Sequence, residues 1–287
     1  MTTLTELWAA FVAERSLSIE PTTVVTYEQV AHWLARCPVK DPALGRAALV
    51  WIMQQKPEKA ALRVGQYVKT LYRWACAEDV GLVGKNPVAS FKFPKTRRRV
   101  EVDITVFPRT AVDDVMVALR QASRHEAQWH LVAQFMLQTG LRTGEAFAVQ
   151  WGDIDWDGAQ VLVRGNFTIT HGYLARTKTG HNRLVPLNSI AMKVLRERQA
   201  AEDGREFVFP WNRQSFMTTF RTRMRRLRAA GVLDFQARPY TLRHTALSRW
   251  VEEGVPVQQV AKWAGNSSEM VWAHYAGCTT NYPMPVL

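Results

Sequence analysis

Apolar residues in the first part of the chain recur three and four apart. Leu4, Leu7, Trp8 and Phe11 form one stripe, the spacing of a helix with one buried face. A second helix is predicted to start near Pro21-Thr22-Thr23 and to run to Arg36. Asp41 followed by Pro42 reads as a cap with proline at the first helical position. Val64, Tyr67, Val68, Leu71, Tyr72 and Ala75 share one face of a helix over Ala60–Glu78, and Gly81, Gly84 and Asn86-Pro87 then break it. Everything up to about residue 92 reads as helical.

Helical spacing resumes beyond Phe107. Thr110 with Asp113 resembles a capping box ahead of a helix to about Ala122, and Trp129, Val132, Ala133 and Met136 mark a buried helix that ends at Gly140. Between Ile154 and Leu187 the pattern changes. Val161–Val163, Phe167–Ile169 and Leu184-Val185 are short β-rich pieces separated by Gly158, Gly165, Gly172 and Gly180, which predicts a small antiparallel sheet. Helices return over Ser189–Ala201, Gln214–Ala230, Thr241–Glu253, Val257–Trp263 and about Ser268–Tyr275. The expected fold is mainly α with a small antiparallel β-sheet (α+β). It divides into a helical domain over residues 1–92, a linker over 93–106 and a mixed domain over 107–287.

Composition narrows the partner. The 287 residues suit two domains, and an apolar content of 47% is enough to bury a sizeable core. A net charge of +12 fits a polyanionic partner, because Lys and Arg release counterions when they meet phosphates. Charge alone does not separate a nucleic-acid binder from a basic enzyme. Two clusters sharpen the choice. The linker region carries Lys92, Lys95, Arg97, Arg98 and Arg99, and a later helix carries Arg221, Arg223, Arg225, Arg226 and Arg228. Each is either a solvated face or a set of phosphate contacts. Cys37, Cys76 and Cys278 lie far apart without a Cys-x-x-Cys pair, so no metal site is expected, and free thiols fit a reducing cytoplasm. Met1–Arg15 lacks the pattern of a signal peptide, and no apolar run nears the ~20 residues of a membrane span.

Four residues carry candidate chemistry. Thr139-Gly140-Leu141-Arg142-Thr143-Gly144-Glu145 places an arginine in a glycine-flanked turn at a helix start, a good arrangement for an oxyanion; alone, Arg142 could equally be a structural partner of Glu145. Tyr240-Thr241-Leu242-Arg243-His244-Thr245 supplies a second arginine after a Thr able to cap a helix. Lys178 reads as the tip of a β-hairpin, where a lysine is usually solvated. Tyr275 follows the turn Gly265-Asn266-Ser267-Ser268. Taken in order, these segments resemble the tyrosine recombinase family, also called phage integrases. "TGLRTGEAFAVQWGDID" resembles the first arginine box, "LARTKTGHNRLVPL" the catalytic lysine hairpin, "YTLRHTALSRW" the second arginine box and "AGNSSEMVWAHYAG" the tyrosine box. The resemblance spans about Phe107–Gly277; the first domain fits more loosely, as a core-DNA-binding domain.

The resemblance implies a site-specific recombinase that needs neither metal nor other cofactor. Arg142 and Arg243 would clamp the scissile phosphate, because a guanidinium is bidentate and always charged. Tyr275 would attack phosphorus to give a 3′-phosphotyrosine, Lys178 would protonate the departing 5′ oxygen, and Glu145 would orient Arg142. The covalent bond conserves the phosphodiester energy, so rejoining needs no ATP. It further implies a C-shaped clamp on duplex DNA, a homo-tetramer on paired sites, a Holliday-junction intermediate, accessory directionality or host factors, and a bacterial or phage-encoded chain. The short stretch before Leu4 leaves no room for the arm-binding domain of lambda-type integrases. The arginines of both clusters, among them Arg97, Arg98, Arg99, Arg221 and Arg225, would then meet DNA phosphates, which position a protein without reading sequence.

Two positions depart from the family pattern. Tyr240 stands where the family usually has the histidine proposed to accept the tyrosine's proton, and Asn266 where it has a histidine or tryptophan that donates to the phosphate. Asn266 can still donate through its amide. Tyr240 is a poor base near neutral pH, so the proton of Tyr275 is expected to pass to a phosphate oxygen or water, with cleavage faster in alkali. His244 and His274 are candidate substitutes for that base; against this, His244 stands where the family commonly has a packing histidine, and His274 should face about 100° away from its neighbour Tyr275. The competing readings are a catalytically weakened relative that binds DNA as an architectural or regulatory protein, and a type IB topoisomerase.

Overall fold

The computed structural model describes residues 2–16, 19, 21–55, 57–94, 104–122, 128–168, 172–175, 177, 180–201 and 204–275. The chain divides into two compact units, Met1–Arg98 and Arg99–Leu287. Among the described residues no helix is long and apolar enough to cross a membrane, and no group of three or more His, Cys, Asp or Glu could hold a metal.

The first unit is helical: α1 (Leu4–Arg15), α2 (Pro21–Arg36), α3 (Gly45–Met53) and α4 (Glu58–Ala75). Thr3 caps α1 by accepting from the Glu6 amide while Glu6 accepts from the Thr3 amide, which satisfies two orphan donors at once. Asp41 accepts from the Ala43 amide as the predicted cap, although it opens a single 3-10 turn before α3. The apolar stripes meet in one core that includes Leu4, Trp8, Phe11, Leu34, Leu49, Val64 and Leu71.

In the second unit, α5 (Val112–Arg120), α6 (Trp129–Thr139) and α7 (Thr143–Phe147) precede the strands β1 (Ile154–Asp155), β2 (Gln160–Val163), β3 (Asn166–Thr168), β4 (Gly172–Leu174) and β5 (Arg183–Pro186). Then follow α8 (Ser189–Gln199), α9 (Arg213–Ala229), α10 (Pro239–Glu252), α11 (Val257–Ala264) and α12 (Ser268–Tyr275). The strands form two sheets rather than one. β1-β2-β5 is antiparallel with Val161 opposite Val185, and β3-β4 is a separate antiparallel pair. Two expected caps are corrected. Thr110 lies in a 3-10 turn before α5, whose N-terminus has no side-chain cap. Thr241 lies in the first turn of α10, where its Oγ1 accepts from the Arg238 amide, because Pro239 starts the helix two residues earlier.

The main core of this unit is aromatic and aliphatic, with Phe135, Phe147, Phe209, Phe216 and Phe220 fully buried. A smaller core joins α10, α11 and α12 through Leu247, Val251, Val260, Ala264, Val271 and the ring of Tyr275. That second core fixes the last helix, and with it the tyrosine.

Candidate active site

α6 ends at Gly140, whose φ of +61° is the left-handed conformation that glycine adopts without steric cost. A side chain there would also collide with Leu247 and Trp250 of α10. The chain therefore turns tightly and delivers Arg142 as the N-cap of α7, with its side chain pointing toward the end of α11. Arg142 Nη2 donates to Gly265 O at 3.0 Å and to Asn266 Oδ1 at 2.7 Å. Its Nη1 donates to Glu145 Oε1 at 2.8 Å and reaches Ala264 O at 3.5 Å. Arg243, fully buried on α10, donates from Nη1 to Gly140 O at 2.7 Å and from Nη2 to Ala264 O at 2.7 Å. The two guanidiniums thus converge on one carbonyl, that of Ala264. Asn266 Oδ1 is engaged by Arg142, which leaves the amide nitrogen as the end able to donate to a ligand oxygen.

Two like charges this close need compensation. Glu145 supplies part of it: its backbone-facing oxygen accepts from the Arg142 amide at 2.9 Å, and a third arginine grips it. Arg183, at the start of β5, donates from Nη1 and Nη2 to the two oxygens of Glu145 at 3.1 and 2.7 Å, and from Nε to Trp263 O at 2.7 Å. Burial opposes ionisation of Glu145, but the hydrogen bonds and charge of Arg183, with the charges of Arg142 and Arg243, outweigh it and hold the carboxyl below its usual range. Burial, and next the charge of Arg142, pull Arg243 below its ordinary value. Three guanidiniums face one carboxylate, so the cluster carries a surplus of positive charge suited to an anion with several oxygens.

The buried Glu145–Arg183 pair makes a prediction about stability. Arg183→Met should destabilise the unit by about 3–5 kcal/mol at neutral pH, because it leaves a buried carboxylate short of a partner. The sign of the pH dependence follows from the lowered carboxyl. Glu145 stabilises the parent chain above the ordinary carboxylate value of 4.5, and that contribution is lost as pH falls through its folded value. The difference between Arg183→Met and parent should therefore shrink in acid. Urea unfolding at pH 7 and in steps down to about pH 2 checks it, and an equal difference throughout would contradict it.

Tyr275, the last residue of α12, is 3% exposed. Its hydroxyl lies 2.7 Å from His244 Nδ1. The His244 ring stands edge-on to Tyr240 at 4.6 Å between centroids, and the Arg243 guanidinium lies 6.0 Å from the Tyr240 ring. Tyr240 itself is 44% exposed. His274 Nδ1 is buried without a partner among the described residues, and its ring meets Tyr275 only edge-on at 6.3 Å.

The structure thus gathers Arg142, Glu145, Arg243 and Asn266 around the end of α11, and Tyr275 and Tyr240 around His244. Lys178, Arg97, Arg98 and Arg99 lie outside the described residues. The Gly180 amide donates to Thr177 O. Arg221 and Arg225 are exposed on α9. Sequence reasoning missed Arg183 and left His244 as one of two candidate bases. Arg183 lies two residues before buried Val185 on β5, so a strand period of two puts it on the same inward face. His244 lies one helical turn beyond Tyr240, the spacing at which two side chains share a face.

Residues 107–281 match the model of the phage integrase family. The chain belongs to the phage integrase family. Among its relatives is a XerC-like tyrosine recombinase of Caldanaerobacter subterraneus subsp. tengcongensis, 26% identical over 260 residues that cover 77% of this chain and 62% of that protein. A shufflon-specific DNA recombinase of Escherichia coli is 30% identical over 149 residues, 51% of this chain and 34% of that one. The chain spans about three fifths of the length of XerC-type relatives such as these. Among solved structures, the Tn1549 transposon integrase in complex with a circular-intermediate DNA superposes with a TM-score of 0.77 at 14% identity, covering 99% of this chain and 97% of that one. A lambda integrase tetramer bound to a Holliday junction gives 0.68 at 19% identity, covering 93% and 78%. At these identities the likeness shows the phage integrase fold.

Proposed function

We propose that the chain is a site-specific DNA recombinase that cuts and rejoins duplex DNA through a 3′-phosphotyrosyl intermediate at Tyr275. The observation that carries the reading is the convergence of Arg142 and Arg243 on the Ala264 carbonyl, with one carboxylate, Glu145, against three guanidiniums. A scissile phosphate brings negative oxygens to that surplus charge, and the same arginines bear the extra charge that develops as phosphorus becomes five-coordinate. The amide of Asn266 donates to a third oxygen. Glu145 and Arg183 orient Arg142 and do not touch the DNA.

Lys178 is proposed as the acid that protonates the departing 5′ oxygen. Lys178→Ala should lose most cleavage of ordinary DNA and recover it when that oxygen is replaced by sulfur, which leaves without a proton. Single-turnover cleavage of the two substrates compares them, and equal inactivity on both removes Lys178 from the role.

The DNA is proposed to be held by both units, with Arg221, Arg225 and Arg97–Arg99 meeting phosphates. Four copies would act on paired sites through a Holliday junction, an arrangement described for lambda integrase, with accessory factors setting direction. Among the described residues nothing favours the non-cutting DNA binder. The test is incubation of the protein with DNA from the flanks of its own gene, followed by sequencing. Recombinant junctions at one fixed crossover support the reading; relaxation of any supercoiled plasmid without new junctions would point to a topoisomerase instead.

A further inference from the structure

We infer that His244 is the general base for Tyr275, taking over at a different helix position the task that Tyr240 cannot perform. The inference rests on the proposed phosphodiester cleavage and adds the route of the proton. His244 Nδ1 is already 2.7 Å from the Tyr275 hydroxyl, inside the reach that a base requires. The Tyr275 ring belongs to the small core between α10 and α12, and it is too buried for bulk water to compete as acceptor. Tyr240, one turn earlier on the same helix, stacks edge-on against the imidazole. It holds the base rather than serving as one. Losing a histidine at position 240 and using one at 244 keeps the imidazole on the same face of α10.

The charged and titratable groups against His244 are Arg243 and Tyr240 on its own helix and Tyr275 and His274 on α12. Burial first, then the charges of Arg243 and His274, push it down to about 4. It is therefore neutral at physiological pH, with a lone pair to offer. A base this weak accepts the proton only as the oxygen–phosphorus bond forms and the phenol becomes far more acidic. A phosphate on Arg142 and Arg243 offsets the Arg243 charge and strengthens it.

In cleavage, Tyr275 Oη bonds to phosphorus while its proton moves to His244 Nδ1, and the 5′ oxygen departs with a proton from Lys178. In rejoining, the 5′ hydroxyl attacks phosphorus, its proton returning to Lys178, and the imidazolium gives its proton back to the leaving tyrosine oxygen. This replaces the expectation that the proton passes to phosphate or water.

The experiment is single-turnover cleavage of a nicked suicide duplex carrying the crossover sequence, from pH 5.5 to 9.5, by parent, His244→Gln and His244→Ala. The parent rate should be flat across neutral pH. His244→Gln keeps an acceptor for the hydroxyl but takes no proton. It should cleave about a hundredfold or more slowly at pH 7, with a rate rising about tenfold per pH unit toward the phenol's own value of ~10. Imidazole in solution should partly restore His244→Ala. A His244→Gln rate within a few-fold of the parent, with the same flat profile, overturns the base assignment alone; no covalent complex from the parent overturns the recombinase reading and this inference together. Should the variants fail to fold, nitrogen-15 spectra of histidine-labelled parent decide it. The Nε2–H tautomer, with its Nδ1 signal moved by Tyr275→Phe, is expected. An Nδ1–H tautomer donating to the tyrosine oxygen overturns it.

Discussion

Tyr275→Phe is expected to form no covalent complex with DNA and to yield no recombinant, while binding its site nearly as tightly as the parent chain. The change removes one oxygen. The ring keeps its place in the core formed with Leu247, Val260 and Val271, so α12 should stay packed. The lost hydrogen bond to His244 costs about 0.5–1.5 kcal/mol of stability, too little to unfold the unit. Binding measured by gel shift and adduct formation measured on denaturing gels separate the two effects. A variant that binds and still becomes covalently attached would remove Tyr275 as nucleophile.

The second large effect is expected at the arginines. Arg243→Lys should reduce cleavage by roughly a hundred- to a thousandfold, the loss seen when one preorganised donor to a developing oxyanion is removed, and Arg142→Lys by a similar factor. Charge is retained in both, so long-range attraction to DNA should survive. What is lost is the fork. Arg243 spans two carbonyls, Gly140 O and Ala264 O, with separate nitrogens, and a compact ammonium cannot reach both while presenting a donor to phosphate. Arg142 likewise divides its nitrogens among Glu145, Gly265 and Asn266. The measurement is the rate of a single cleavage event at saturating protein, which isolates chemistry from binding. A Lys variant with a near-parent rate would show that the site uses charge alone.

The limits of what the sequence discloses are physical. α1 and α2 are legible to their ends because amphipathic spacing, a proline and local caps all act within one turn. The split into two sheets is not. β2 pairs with β5 across the whole β3-β4 hairpin, and β1 is two residues long, too short to show a period. Thr110 and Thr241 look like caps because Thr followed by a helical pattern is a cap signal, yet Thr110 lies within a 3-10 turn ahead of α5 and Pro239 starts α10 two residues before Thr241. At the site, Arg142, Arg243 and Tyr275 are legible because each sits in its own motif. Arg183 is not, and His244 is legible only as one of two candidate histidines, since each gains its meaning from a partner distant in the chain: Glu145 for the first, Tyr275 for the second. Both were within reach of simple geometry, a strand period and a helix turn, but an inward-facing arginine has no visible reason until its carboxylate is placed opposite.

The most direct test of the account is to trap the parent protein on a nicked suicide duplex, digest the complex and map the peptide that carries DNA by mass spectrometry. The account predicts a single site of attachment, Tyr275, joined to a 3′ phosphate, with a free 5′ hydroxyl on the released strand. Attachment at another residue, a 5′-phosphate linkage, or strand cutting without any protein–DNA bond would contradict it.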